Sequence, residues 1–209
     1  MTTVLTPAAR AAAALVAVIG WIGLGVQVDA SIALTGSVGA ALWEMLRFFT
    51  VLANLLSAVM FSAIALRQGW AARPRLIAGV AMAMALVGIV YGLLLQGLLD
   101  LSGGAKLADT LLHKVTTVLA PLWWLVFAPK GRIVWRDPPV WAVFPLAYFI
   151  YGLTRGALDG KYPYPFMNVS RIGWEQTLAN GFAMAAAFMV AGYALVWLDR
   201  ALGPKDLAA

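Results

Sequence analysis

The chain has 209 residues, of which 63% are hydrophobic and 11% are charged, and its mean hydropathy is +0.86. A soluble domain carries about 25% charged residues, so this chain has too little polar surface to fold in water. It contains no cysteine, which excludes disulfides, thiol catalysis and cysteine-ligated metal. The composition predicts a single all-α integral membrane domain over residues 1–209, and in such a protein the net charge of +6 does not indicate nucleic-acid binding.

Apolar segments of roughly the ~20 residues that cross about 30 Å of hydrocarbon occur along the whole chain. Six are predicted, at residues 11–28, 46–66, 76–99, 107–127, 140–153 and 178–198. The first resembles the core of a secretory signal peptide but is long for one, so we expect a retained transmembrane helix. The fifth is short and contains Pro145, which predicts a kink. The sequence therefore predicts a six-transmembrane-helix bundle.

The connections between these segments alternate in charge. Cations dominate residues 67–75, 128–139 and the C-terminal tail, whereas acids are concentrated in the other connections. Basic loops stay in the cytoplasm, so both termini are predicted to be cytoplasmic. The connection at 156–176 is rich in Pro, Tyr, Phe and Trp, and we expect it to lie over the outer end of the bundle as an interfacial cap.

Two polar side chains are predicted to reach the same depth in the membrane. Thr50 and His113, the only histidine, lie one to two turns below the outer ends of the second and fourth segments. A histidine suits a general base near neutral pH, and a threonine hydroxyl needs such a base to act as a nucleophile. The alternatives are a threonine bonded to its own helix and a histidine bonded to a neighbouring one.

Further polar residues on the predicted outer side have two interpretations each. Asp109, four residues before His113, could orient the imidazole as in a serine triad, or it could be a solvated helix start. Arg47, Lys114 and Arg155 could hold a lipid carboxylate or an oxyanion, or they could extend to the headgroups. Asn54 could donate to an oxyanion or bond between helices.

No metal or cofactor is predicted. One histidine without cysteine does not make the usual zinc site. Haem with His113 as its sole strong ligand has no further support in the sequence.

Three motifs carry a resemblance to a known family. They are Phe-Phe-Thr-Val-Leu-Ala-Asn-Leu-Leu at 48–56, Leu-Leu-His at 111–113 followed by Trp124 and Phe127, and Gly-Lys-Tyr-Pro-Tyr-Pro-Phe at 160–166. Together they resemble the androgen-induced protein family, which includes the androgen-dependent TFPI regulator and many bacterial six-span members. The third motif is the most specific, and the three occur in the family's order.

The resemblance implies an intramembrane threonine hydrolase that cleaves fatty acid esters of hydroxy fatty acids or similar lipid esters. It implies Thr50 as nucleophile, His113 as general base, membrane lipids as partners and the bacterial inner membrane as location. The family often has an acid ten positions after the histidine, where this chain has Trp123. Another acid commonly follows the Tyr-Pro-Phe loop, where this chain has Asn168.

Two other functions remain as alternatives. The same pocket would serve a lipid-binding or signalling protein without turnover. A small transporter is disfavoured because the inner halves of the segments are almost wholly apolar and no inverted repeat is visible.

Overall fold

The computed structural model describes residues 5–204, and every regular element in that range is helical. The eight α-helices are α1 (Pro7–Thr35), α2 (Val38–Met45), α3 (Phe49–Ala65), α4 (Pro74–Val90), α5 (Gly103–Thr110), α6 (Thr116–Phe127), α7 (Asp137–Asp159) and α8 (Val169–Ala201). A π-helical turn, Tyr91–Leu95, extends α4, and a second, Leu111–Val115, joins α5 to α6 in one rod. A short 3-10 turn, Pro165–Met167, precedes α8.

Four of these rods are long and apolar enough to cross a membrane, and the bent pair α2–α3 could be a fifth span. The four are α1, α4 with its π turn, the α5–α6 rod and α8. Helix α7 has 23 residues, but its Trp, Tyr, Pro and Arg side chains make it less apolar. The chain is therefore built as a multi-pass helical membrane protein with four to five candidate spans, where the sequence predicted six.

The second predicted segment, 46–66, is not one straight helix. Phe48 adopts an extended conformation, α3 begins only at Phe49, and the chain turns by 99° between α2 and α3. Arg47 lies in this corner, outside the helix, and so does not share a helical face with Thr50 and Asn54. The prediction of one continuous helix was wrong here because the apolar run contains no Gly or Pro to mark the corner.

The outer connection before α8 is also shorter than predicted. Helix α7 continues to Asp159, and Gly160, with a φ of 72°, ends it in the left-handed conformation that glycine adopts without strain. Helix α8 begins at Val169 and is broken at Gly173, whose φ of 76° and ψ of 168° are not helical. The connection therefore covers 160–168, and one helical turn follows it, where the sequence predicted a single connection over 156–176.

Small residues let the central helices approach closely. A Cβ on Gly20 of α1 would lie 3.3 Å from that of Ala58 on α3, and one on Gly88 of α4 would lie 2.9 Å from the Thr117 hydroxyl on α6. A Cβ on Gly23 would lie 2.8 Å from a methyl of Leu112. This packing, typical of membrane helices, presses α1 and α4 against the rod that carries His113.

Helix α7 connects the two ends of the bundle. At its first residue Asp137 pairs with Arg75, with 3.2 Å between Oδ1 and Nε. At its last residue Asp159 pairs with Arg47, with 2.8 Å between Oδ2 and Nη2. The basic connections lie at the Asp137 end of α7, because this end includes Arg75 and Arg136.

Candidate active site

Thr50 and His113 meet at the end of the bundle where Arg47 pairs with Asp159. The Nε2 atom of His113 lies 3.1 Å from Oγ1 of Thr50, and Thr50 is only 4% exposed. Because α3 begins at Phe49, Thr50 is the second residue of its helix instead of lying a turn inside it. The Thr50 hydroxyl therefore lies at the positive end of the helix dipole, which stabilises negative charge that develops on the hydroxyl oxygen.

Asp109 and Tyr91 hold the imidazole from the other side. The Asp109 Oδ1 atom lies 3.0 Å from His113 Nδ1, although the ring N–H does not point at it with good hydrogen-bond geometry. The contact is therefore mainly electrostatic. The Tyr91 hydroxyl donates to Asp109 Oδ2 at 2.6 Å, and the Tyr91 and His113 rings stack with centroids 4.3 Å apart.

Both stacked residues lie in π-helical turns. His113 is in the middle of the turn Leu111–Val115, and Tyr91 begins the turn Tyr91–Leu95. A π turn inserts one residue into a helix and changes the direction of the side chains after it, and such turns are frequent at functional sites. Without these turns the two rings would not face each other at this register.

Asn54 connects α3 to the rod of His113. Its Nδ2 donates to the carbonyls of Thr50, at 2.9 Å, and Leu112, at 3.0 Å, and its Oδ1 accepts from the Thr116 hydroxyl at 2.6 Å. Both amide hydrogens are engaged, so Asn54 is placed to position the site, and in this arrangement it has no donor left for an oxyanion.

The cations proposed from the sequence lie outside the Thr50–His113 pair. Arg47 donates to both Asp159 oxygens, to the Lys161 carbonyl and to Glu44. Arg155 donates to the Trp43 carbonyl, and its guanidinium lies 3.9 Å over the Trp43 ring. These contacts hold the end of α7 and the start of the connection after it against α2 and the corner between α2 and α3.

Lys114 is exposed and lies beside the Tyr91 ring. Its Nζ is 5.9 Å from the centroid of the Tyr91 ring.

The hydroxyl of Tyr164 lies close to the start of α3. Tyr164, in the 160–168 connection, has its phenol oxygen close to the Thr50 side chain, the Tyr148 hydroxyl and the N–H groups of Phe49 and Thr50, at separations longer than a hydrogen bond. As the first two residues of α3, Phe49 and Thr50 have no carbonyl of their own helix to bind. Burial raises the pKa of Tyr164, and the facing donors oppose that rise.

An apolar groove of about 520 Å³ extends from Thr50 between α4, α7 and α8. Among its lining residues only Thr50, Tyr148 and Tyr164 have polar side chains, and all three hydroxyls are at the end of the groove next to the start of α3. The Tyr148 hydroxyl is committed to the Arg47 carbonyl at 2.9 Å. The groove can therefore present an uncharged, mainly hydrocarbon molecule to Thr50.

No group of three metal-ligating side chains of the His, Cys, Asp or Glu type occurs within residues 5–204.

The two positions where the family often has an acid lie apart from the reacting pair. Trp123 is ten residues after His113, about 15 Å along the helix, and its Nε1 donates to the Ala9 carbonyl. Asn168 precedes α8 and leaves its Oδ1 buried without a partner. Trp123 is therefore too far along the helix to contact His113.

Sequence reasoning missed Tyr91 and Tyr164. For Tyr164 the only available signal was its place in the Tyr-Pro-Tyr-Pro-Phe segment. Tyr91 is a single tyrosine in the third apolar segment, and nothing in the sequence marks it as a site residue. Comparison of the chain with protein-family models, curated proteins and solved structures finds no match.

Proposed function

We propose that the chain is an intramembrane threonine hydrolase that cleaves lipid esters, with Thr50 as nucleophile and His113 as general base. The observation that carries this proposal is the 3.1 Å contact between His113 Nε2 and Thr50 Oγ1 at the mouth of an apolar groove. The three motifs described above support it, and they favour fatty acid esters of hydroxy fatty acids or similar esters as substrates.

The reaction has two halves. His113 Nε2 takes the Thr50 proton while Oγ1 attacks the ester carbonyl, and the imidazolium then gives this proton to the leaving alcohol as the ester C–O bond breaks. The acyl group now resides on Thr50. Water attacks the acyl-enzyme while His113 takes a water proton, and that proton returns to Oγ1 as the fatty acid leaves.

Asp109 and Tyr91 act through the imidazole. The Asp109 carboxylate favours the tautomer that leaves Nε2 free to accept the Thr50 proton, and it stabilises the imidazolium. The Tyr91 hydroxyl fixes this carboxylate and its ring fixes the imidazole plane. Both are positioning residues in this mechanism.

Tyr164 is the proposed oxyanion donor. Tyr164 lines the groove beside Thr50, and its phenol oxygen is close to the Thr50 side chain, so its O–H is placed to donate to an oxyanion that forms on the ester carbonyl. Arg47, Arg155 and Asn54, which the sequence offered as candidates for this role, are already engaged in the contacts described above, and Lys114 lies exposed beside the Tyr91 ring.

We also propose six membrane crossings, with both termini in the cytoplasm and the site near the outer leaflet. This topology is supported by the basic connections at one end of α7 and the Arg47–Asp159 pair at the other. The bacterial inner membrane is the location that the motif resemblance favours.

The test is ester hydrolysis by purified variants in detergent. Thr50→Ala should reduce hydrolysis of a long-chain ester to background, and His113→Ala should reduce kcat by about 10²–10⁴-fold. Thr154→Ala, which removes an exposed hydroxyl bonded only to its own helix, is the matched control and should retain activity. Wild-type rates in a folded Thr50→Ala variant would exclude the mechanism.

A lipid-binding protein without turnover is the second candidate, because the apolar groove alone would serve it. In that case the wild-type protein would release the ester intact from the groove, and all three variants would behave alike.

A further inference from the structure

The groove beside Thr50 is long and narrow. On α7 it runs from Tyr148 at the outer end to Pro139, nine residues away, and on α8 from Leu178 to Phe188. At 1.5 Å per residue each wall is about 14 Å long. The hydroxyls stand at one end only, so a molecule lying in the groove has its polar group at Thr50 and a hydrocarbon portion below it.

The walls of the groove also define the charge of its occupant. No charged side chain lines it, and the two arginines at its outer end are held in ion pairs and ring contacts. A carboxylate inside the groove would have no partner, and an unpaired charge is costly in so apolar a place. The part of the occupant that lies inside the groove is therefore uncharged.

The groove opens sideways between α7 and α8. Val143 and Phe182, on opposite walls, are 61% and 78% exposed. In a bilayer these side chains would face lipid tails, so a hydrocarbon chain can enter laterally without crossing water.

We propose that this groove binds the acyl chain of the acid half of the substrate, so that the length of this chain decides which esters the enzyme cleaves. Ala142 on α7 and Ala185 on α8 keep the groove open below Thr50: each lies about 10 Å along its helix from the hydroxyl end. This inference rests on the proposed hydrolase function. It assigns chain-length selection to these two alanines.

The test compares para-nitrophenyl palmitate with para-nitrophenyl butyrate. Ala185→Phe fills the groove partway down, so the ratio of kcat/KM for palmitate to that for butyrate should fall at least about tenfold relative to wild type. Ala186→Phe, which adds the same ring at the next, exposed position outside the groove, should keep the wild-type ratio. Ala142→Phe gives the same test from the opposite wall if Ala185→Phe does not fold.

The outcomes separate the two proposals. An unchanged ratio in Ala185→Phe and Ala142→Phe, with an active wild-type protein, would mean that the groove holds bilayer lipid and not substrate, and only this inference would be lost. A wild-type protein that hydrolyses neither ester would overturn the proposed function and this inference together.

Discussion

At the scale of single residues, the site depends on hydrogen bonds that leave one reactive hydroxyl. Asn54 and Thr116 bond to each other and to backbone carbonyls, whereas the Thr50 hydroxyl faces His113 and the groove. Buried polar groups are costly unless they are paired, so this arrangement leaves Thr50 as the hydroxyl that the proposed mechanism uses.

Tyr164 gives the sharpest residue-scale prediction. Tyr164→Phe keeps the ring but removes the proposed oxyanion donor, so kcat should fall by about 10²–10³-fold with little change in KM. Tyr162→Phe makes the same change two residues earlier, on a ring that packs against Gly156, and should keep kcat. Steady-state kinetics with one soluble ester measures both, and equal kcat values in the two variants would remove Tyr164 from the mechanism.

Only part of the site could be predicted from the residues. Thr50 and His113 could be paired because helical rise gives their depth and the motifs single them out. The stacking of Tyr91 on His113 could not, because it depends on two π turns, and a one-residue insertion in a helix leaves no mark in an apolar pattern.

At the scale of elements, the corner between α2 and α3 is the feature that places Thr50 at a helix start. Arg47, whose side chain is 3% exposed, is drawn out of the helix by the carboxylates of Asp159 and Glu44. Asp159 is 112 residues away from Arg47 in the sequence, which is why the local hydropathy pattern predicted a straight helix through the corner.

The Arg47–Asp159 pair makes this corner sensitive to acid. The hydrogen bonds from Arg47 lower the pKa of Asp159 from 3.8 to about 2. A carboxylate whose pKa is depressed on folding stabilises the folded state above its unfolded pKa, and this stabilisation is lost as the pH falls through the folded value. The pair should therefore contribute fully above about pH 4 and vanish near pH 2.

Thermal unfolding of the protein in detergent measures this contribution. Asp159→Asn should lower Tm at neutral pH, and its Tm should fall less than that of the wild type between about pH 4 and pH 2. Parallel pH profiles for the two proteins would show that the pair does not stabilise the corner.

At the scale of the whole molecule, the proposed topology places all the catalytic groups at one end. Four membrane-spanning rods could be predicted from the sequence, since the apolar segment of each is long enough to span the hydrocarbon. The composition of α7 does not identify it as a membrane crossing, because its polar aromatic residues lower its mean hydropathy. Its two ion pairs nevertheless show that it runs from one end of the bundle to the other.

The absence of cysteine allows a direct test of this topology. Arg136→Cys and Lys161→Cys place single thiols on exposed residues at either end of α7. A membrane-impermeant maleimide applied to intact cells should label Lys161→Cys, and should label Arg136→Cys only after the membrane is opened. Ser102→Cys and Gln68→Cys are the matched outer and inner references. Labelling of both α7 thiols from the same side would show that α7 does not cross.

The most direct measurement of the central claim is the site of covalent capture by a fluorophosphonate probe. We expect one adduct per chain, located by peptide mass spectrometry on the Oγ1 of Thr50, and we expect it to disappear in His113→Ala but not in Thr154→Ala. A folded wild-type protein that forms no adduct, or forms one on a residue other than Thr50, would contradict the account.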